Sequence, residues 1–241
     1  MNKYLVYIGV FVVLIIGIAV FAVFYQSKLP VYNPENEGEC GKIIYQNTTE
    51  KKVNVVFLNE NVARDYAEQY AKALLEIEPF SSNKEKINFF YADKPIVCKV
   101  ENSALLCYSK ELLKAASSCP NDYIVVLSQK DKRVRSSAYI NVLSINTAQV
   151  KTTLAHEFAH VFGNIADEYV PAGLPSRQKN CVSSCENFDG LNEGCFDGCS
   201  KANLKRSIEA GLMKTLQSRE FGKFNKMLLS KELGKYDKEN A

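Results

Sequence analysis

The stretch His156-Glu157-Phe158-Ala159-His160, continued by Val161-Phe162-Gly163-Asn164-Ile165-Ala166-Asp167-Glu168-Tyr169, decides how the chain is read. On a helix, positions four apart share a face, so His156 and His160 stand one turn apart on the same side. Two neutral imidazoles so placed can grip one zinc ion, and Glu157 beside them can serve as general base toward water. Gly163 can end the helix and let the chain turn back toward the metal. The whole chain has 2 histidines, both in this motif, so a third ligand must be another residue type. Asp167 is the expected ligand, and Glu168 is the alternative because its longer side chain can reach from the next position. A chance HExxH in an ordinary amphipathic helix would explain neither the concentration of histidines nor the acidic pair that follows.

The same residues carry a resemblance. HEFAHVFGNIADEY is similar to the signature of the IgA-peptidase family of zinc metalloendopeptidases, approximately HEFGHxFxxLADEY. The shared positions are His156, Glu157, Phe158, His160, Phe162, Ala166, Asp167, Glu168 and Tyr169. Ala159 departs from the usual Gly, a small-for-small change. The resemblance implies a zincin-like, metzincin-like fold of the α/β (α+β) class and a peptide or protein substrate. The close match covers about fourteen residues. The cysteine-rich stretch downstream lies outside the pattern, so substrate preference does not carry over. In metzincins a Met lies under the metal, and Met213 in Ser207-Ile208-Glu209-Ala210-Gly211-Leu212-Met213 is the candidate here; a core Met is the plain alternative.

Composition bounds the rest. A chain of 241 residues suits one catalytic domain plus a membrane segment. Charge is nearly balanced, with 30 basic and 27 acidic residues, and no basic patch stands out. Nucleic acid is therefore not an expected partner. Eight cysteines are many for a reducing compartment and suit an oxidising one.

At the N-terminus, Tyr4 to Tyr25 is uncharged and mostly apolar, about 33 Å long as a helix and enough to cross a bilayer. Its length and bulky end, Val23-Phe24-Tyr25-Gln26, favour an uncleaved anchor over a signal peptide. The expected layout is a transmembrane anchor over 1–28, a linker over 29–41 and a zinc metallopeptidase domain over 42–241. Lys3 and the α-amino group bias the N-terminus toward the cytoplasm. The catalytic domain of this single-pass membrane protein would then be extracytoplasmic. Asn47-Thr48-Thr49 is a glycosylation sequon or an unmodified loop.

Apolar patterning predicts a buried strand over 53–58, a helix over 61–78, a strand over 87–91 and a hairpin over 95–108. A short helix over 109–117 and a buried strand over 122–128 follow. Ser136 to Ile145 is predicted as one strand, at the upper edge of the cleft or as a plain edge strand. Asn146 and Gln149 are predicted to cap the motif helix, whose apolar side is Val150, Leu154, Phe158, Val161 and Phe162. A C-terminal helix is predicted over 223–234.

Cys181, Cys185, Cys195 and Cys199 form C-x3-C-x9-C-x3-C. Zinc ribbons usually use C-x2-C, so disulfides fit better than a second zinc site. Four cysteines allow about three connectivities, and two short helices folded back on each other could give the nested one, Cys181 with Cys199 and Cys185 with Cys195. Cys98 and Cys107 sit on the two arms of the hairpin, which leaves Cys40 and Cys119.

The function these readings predict is a membrane-anchored zinc metallopeptidase with Glu157 as general base. Tyr169 can donate a hydrogen bond to a developing oxyanion, or merely pack. The rival is a membrane-tethered inactive protease fold that serves as a binding module. An intact Glu157 argues against it, since a binding protein has no use for the base.

Overall fold

Val53-Asn54-Val55-Val56-Phe57-Leu58 sends side chains alternately to two faces, and both faces find apolar cover. The computed structural model describes residues 40–46 and 51–237. Its main sheet contains β1 (Cys40–Ile44), β2 (Val53–Glu60) and β3 (Ile87–Ala92). A separate hairpin follows, β4 (Lys99–Glu101) with β5 (Ala104–Leu106). The main sheet continues with β6 (Tyr123–Ser128), β7 (Ser137–Tyr139) and β8 (Val142–Asn146). The strand order is β1-β3-β2-β6-β8-β7. The four inner strands run parallel, and the outer two pair antiparallel.

The helices are α1 (Asp65–Leu74), α2 (Lys110–Ala116), α3 (Thr152–Gly163) and α4 (Lys223–Leu233). Val55, Phe57, Val125 and Leu143 face α1, α3 and α4 across one core. Val56, Leu58, Ile124 and Val126 face α2 and the β4–β5 hairpin across the other. Ser109 starts α2 by accepting the Leu112 N–H at 3.1 Å. Helix α3 is fastened to its core by aromatic packing. Phe158 stacks on Phe162 at 5.0 Å and meets Phe80 and Tyr123 at 5.4 and 5.1 Å between centroids. Truncating Phe158 to Ala would remove all three contacts and cost about 3–5 kcal/mol.

Beyond β8 the chain forms a second antiparallel pair, β9 (Phe196–Cys199) with β10 (Lys201–Arg206). Four disulfides join Cys40 to Cys119, Cys98 to Cys107, Cys181 to Cys199 and Cys185 to Cys195. The nested pairing is therefore present, but not on two helices: Cys185 starts a 3-10 turn, Cys199 ends β9, and Cys181 and Cys195 lie outside both elements.

Several expectations need correction. The fold is a mixed α/β domain around a six-stranded sheet, and the N-terminal transmembrane helix is removed from its description. Among the described residues no helix is long and apolar enough to cross a membrane. The segment Tyr4–Tyr25 lies outside them, as does Asn47-Thr48-Thr49. The placement as a single-pass membrane protein, with a cytoplasmic N-terminus and an extracytoplasmic domain, is therefore not supported by any helix among the described residues. Cys40 and Gly41 are not linker but the start of β1.

The strand predicted over 136–145 is two strands, because Ile140 at φ 57° reverses the chain into a tight hairpin. Asn146 and Gln149 do not cap α3. Asn146 instead donates to the Asp131 and Val134 carbonyls at 2.9 and 2.8 Å, and Gln149 accepts from Ser136. Val150 is exposed rather than part of the apolar side of α3.

Candidate metal centre

Helix α3 carries His156 and His160 on one face, with their Nε2 atoms 3.2 Å apart. The reversal that follows is made by Asn164, in the left-handed region at φ 52°, not by Gly163. Gly163 stays inside the helix for packing, since a Cβ there would lie 2.7 Å from Leu229 Cδ2 on α4. The returning chain brings Asp167 Oδ1 to 3.1 Å from His156 Nε2 and 3.4 Å from His160 Nε2.

The returning segment is held by its backbone. Asn180 accepts the Ala166 N–H at 2.7 Å and donates to the Ala166 carbonyl at 3.0 Å. Ser200 donates to the Asp167 carbonyl at 2.7 Å. The Glu168 N–H donates to the Met213 carbonyl at 2.8 Å. Met213 is fully buried in the core beside α3, and the Leu212 carbonyl before it accepts from His156 Nδ1 at 2.9 Å. The 207–213 segment thus supports the site through main-chain oxygens.

The donor set fits a cation. His156 Nδ1 and His160 Nδ1 each face a carbonyl, of Leu212 and of Ile165 at 2.6 Å. A carbonyl only accepts, so each Nδ1 carries the proton and each neutral ring turns an Nε2 lone pair inward. Asp167 Oδ1 is buried and receives no hydrogen bond. His156, His160 and Asp167 can hold a metal ion, with ligand atoms all within 4.8 Å of one another. Three converging lone pairs repel one another unless a cation or proton sits among them.

The electrostatics agree with that demand. Burial works against charging His160, yet Asp167 and Glu157 outweigh it and leave the ring pushed up to about 9. Burial alone would raise Asp167, but the two imidazoles hold it well below the usual carboxylate range.

Glu168 takes no part in this set. It is fully buried, and its Oε1 accepts from Asn225 at 2.8 Å and Asn180 at 3.2 Å. Burial pushes its carboxyl up. It braces the segment from behind while Asp167 faces forward.

Glu157 lines the same cleft, a cavity of about 760 Å³ bordered also by Arg135, Tyr139, Tyr169, Leu174 and Arg177. Burial raises the Glu157 carboxyl against the pull of His156 and His160. A raised carboxylate is a stronger base than a solvated one. Tyr169 borders the cleft, with its hydroxyl pushed up to about 12 by burial and then by the negative charge of Asp167. It therefore stays protonated, with its hydroxyl donated toward Asp167.

All the predicted site residues except Glu168 meet in this cleft. Sequence reading missed Asn180, Ser200 and Arg135. The first two act on main-chain atoms and leave no spacing signal, and Arg135 ends the polar run Gln129 to Arg135, which carries no motif. Helix α3 and the sheet meet the cleft at β7, the outermost strand, through Ser137, Ala138 and Tyr139. No family model matches the chain, and a search of curated proteins also finds no match.

Proposed function

We propose that this chain is a zinc-dependent metallopeptidase that hydrolyses peptide bonds, similar in its motif to the IgA-peptidase family. The observation that carries the reading is the convergence of His156, His160 and Asp167 on one point, with the buried carboxylate of Glu157 in the same cleft. Two imidazoles and one carboxylate are a normal ligand set for catalytic zinc, whereas structural zinc is usually closed by four ligands rich in Cys. Every cysteine of the chain is engaged in a disulfide.

The ion, when bound, supplies Lewis acidity toward water and toward the peptide carbonyl. The residues of the chain do the rest. The outward backbone groups of β7 align an extended peptide along the cleft by strand addition. Glu157 takes a proton from the attacking water and passes it to the nitrogen of the leaving amine. Water thereby contributes its hydroxyl to the new carboxyl group and its proton to the new amine. Tyr169 donates a hydrogen bond to the carbonyl oxygen as negative charge builds there.

A binding module on an inactive protease fold is the competing reading, and the burial of an intact Glu157 in the cleft weighs against it. The test is digestion of a mixed peptide library by the full chain with zinc, beside Glu157→Gln. Cutting by the wild type alone is expected. Equal cutting by both, or by neither, would remove the peptidase reading.

A further inference from the structure

A second pocket of about 220 Å³ opens off the cleft at the catalytic base, sharing Arg135, Ser136, His156, Glu157 and Tyr169 with it. Its inner wall is Gln149, Thr153 and the segment Lys214-Thr215-Leu216. That volume equals about seven waters of bulk liquid, room for one side chain and no more.

The lining is rich in donors. Lys214 spends one N–H on the Glu209 carbonyl at 3.0 Å, leaving two of its three. Among the described residues no carboxylate forms an ion pair with Lys214 or with Arg135. Thr153 is 1% exposed, and its hydroxyl is buried without a hydrogen-bond partner. Gln149 spends its carbonyl oxygen on Ser136, so its amide N–H groups remain to donate. Glu157 is the only acid in the wall, against two cations. An apolar occupant would cover these donors and satisfy none of them.

We propose that this pocket selects an acidic substrate side chain next to the bond that is cut, with Arg135 and Lys214 as the specificity-determining residues. The substrate class rests on the peptidase reading above. Both cations offer N–H donors to a carboxylate, Arg135 as a planar fork and Lys214 as a point charge. Thr153 and Gln149 line the same pocket and offer further donors to it. A Gln of equal size would bring the same shape without the charge.

The test uses peptide pools in which one position at a time is fixed as Glu, Gln or Lys. Cleavage by the zinc-loaded full chain gives kcat/KM. Binding to Glu157→Gln, followed by fluorescence anisotropy, reads the pocket without any cleavage. We expect Glu pools to be cut at least tenfold better than Gln pools at one position, and to bind Glu157→Gln more tightly. Arg135→Gln with Lys214→Gln should abolish the difference, and Arg135→Glu with Lys214→Glu should turn it toward Lys. Equal binding of Glu and Gln pools, or a preference that survives both double variants, overturns the proposal. Tighter binding of Glu pools together with no cleavage by the wild type would leave the pocket standing and remove the peptidase reading instead.

Discussion

Ser200 donates its hydroxyl to the main-chain carbonyl of Asp167 at 2.7 Å, and so ties a candidate metal ligand to the disulfide-stapled part of the chain. Ser200 follows Cys199 directly, and its Oγ also reaches the Gly173 carbonyl at 3.2 Å. The stapled stretch therefore fixes where Asp167 stands. We expect Ser200→Ala to weaken zinc binding by about 10–100-fold, the usual cost of losing a residue that orients a ligand. Competition with a chromophoric chelator measures it. Ser183→Ala, exposed on the same stretch, is the control and should bind as the wild type does. An unchanged affinity in Ser200→Ala would show that the contact is incidental.

Asp167 and Glu168 are neighbours with opposite duties, and their Ala variants should separate them. Asp167→Ala removes one of three ligands and should cost zinc affinity more than the roughly 100-fold seen for outer contacts. Glu168→Ala strips Asn180 and Asn225 of a shared acceptor and should cost about 1–3 kcal/mol of stability. Chemical denaturation and metal titration on both variants give the two numbers. The assignment fails if Asp167→Ala binds zinc as tightly as the wild type.

The cluster also sets a pH dependence. His160 is raised to about 9 in the metal-free fold, above its ordinary value of 6.5. Its protonation therefore stabilises the metal-free chain fully below about pH 6.5, and that stability is lost as pH rises through about 9. Zinc must displace this proton, so its affinity should rise with pH up to about 9, by about tenfold per unit for one proton released. The Tm of the chelator-treated chain should fall across the same window. A metal-free Tm that stays flat from pH 6.5 to 9 contradicts this.

How much of this was legible depends on what each residue touches. The buried strands were, because Val53–Leu58 and Tyr123–Ser128 are apolar runs that only a doubly covered sheet accommodates. The ligand helix was, because a four-residue spacing is a local property. That the cysteines form disulfides was legible from their number, whereas the nested pairing was one of about three connectivities and is carried by a different local structure from the two helices expected. The split between β7 and β8 was not, since Ile140 at positive φ gives no compositional sign of a turn. Nor was the duty of Gly163, which is set by Leu229 far along the chain. Asp167 was placed ahead of Glu168 on its spacing from His160, but the contacts that occupy Glu168, from Asn180 and Asn225, were not legible. Such assignments are tertiary, and no local pattern encodes them.

The bridges fall into two blocks along the chain. Cys40, Cys98, Cys107 and Cys119 pair among themselves before α3, and Cys181, Cys185, Cys195 and Cys199 pair among themselves after it. Eight cysteines in one pool allow about 105 connectivities, whereas each block of four allows about three. A chain made from its N-terminus exposes the first block before the second exists. Correct pairing during synthesis thus becomes two small independent choices, and the motif helix emerges between them without a thiol of its own.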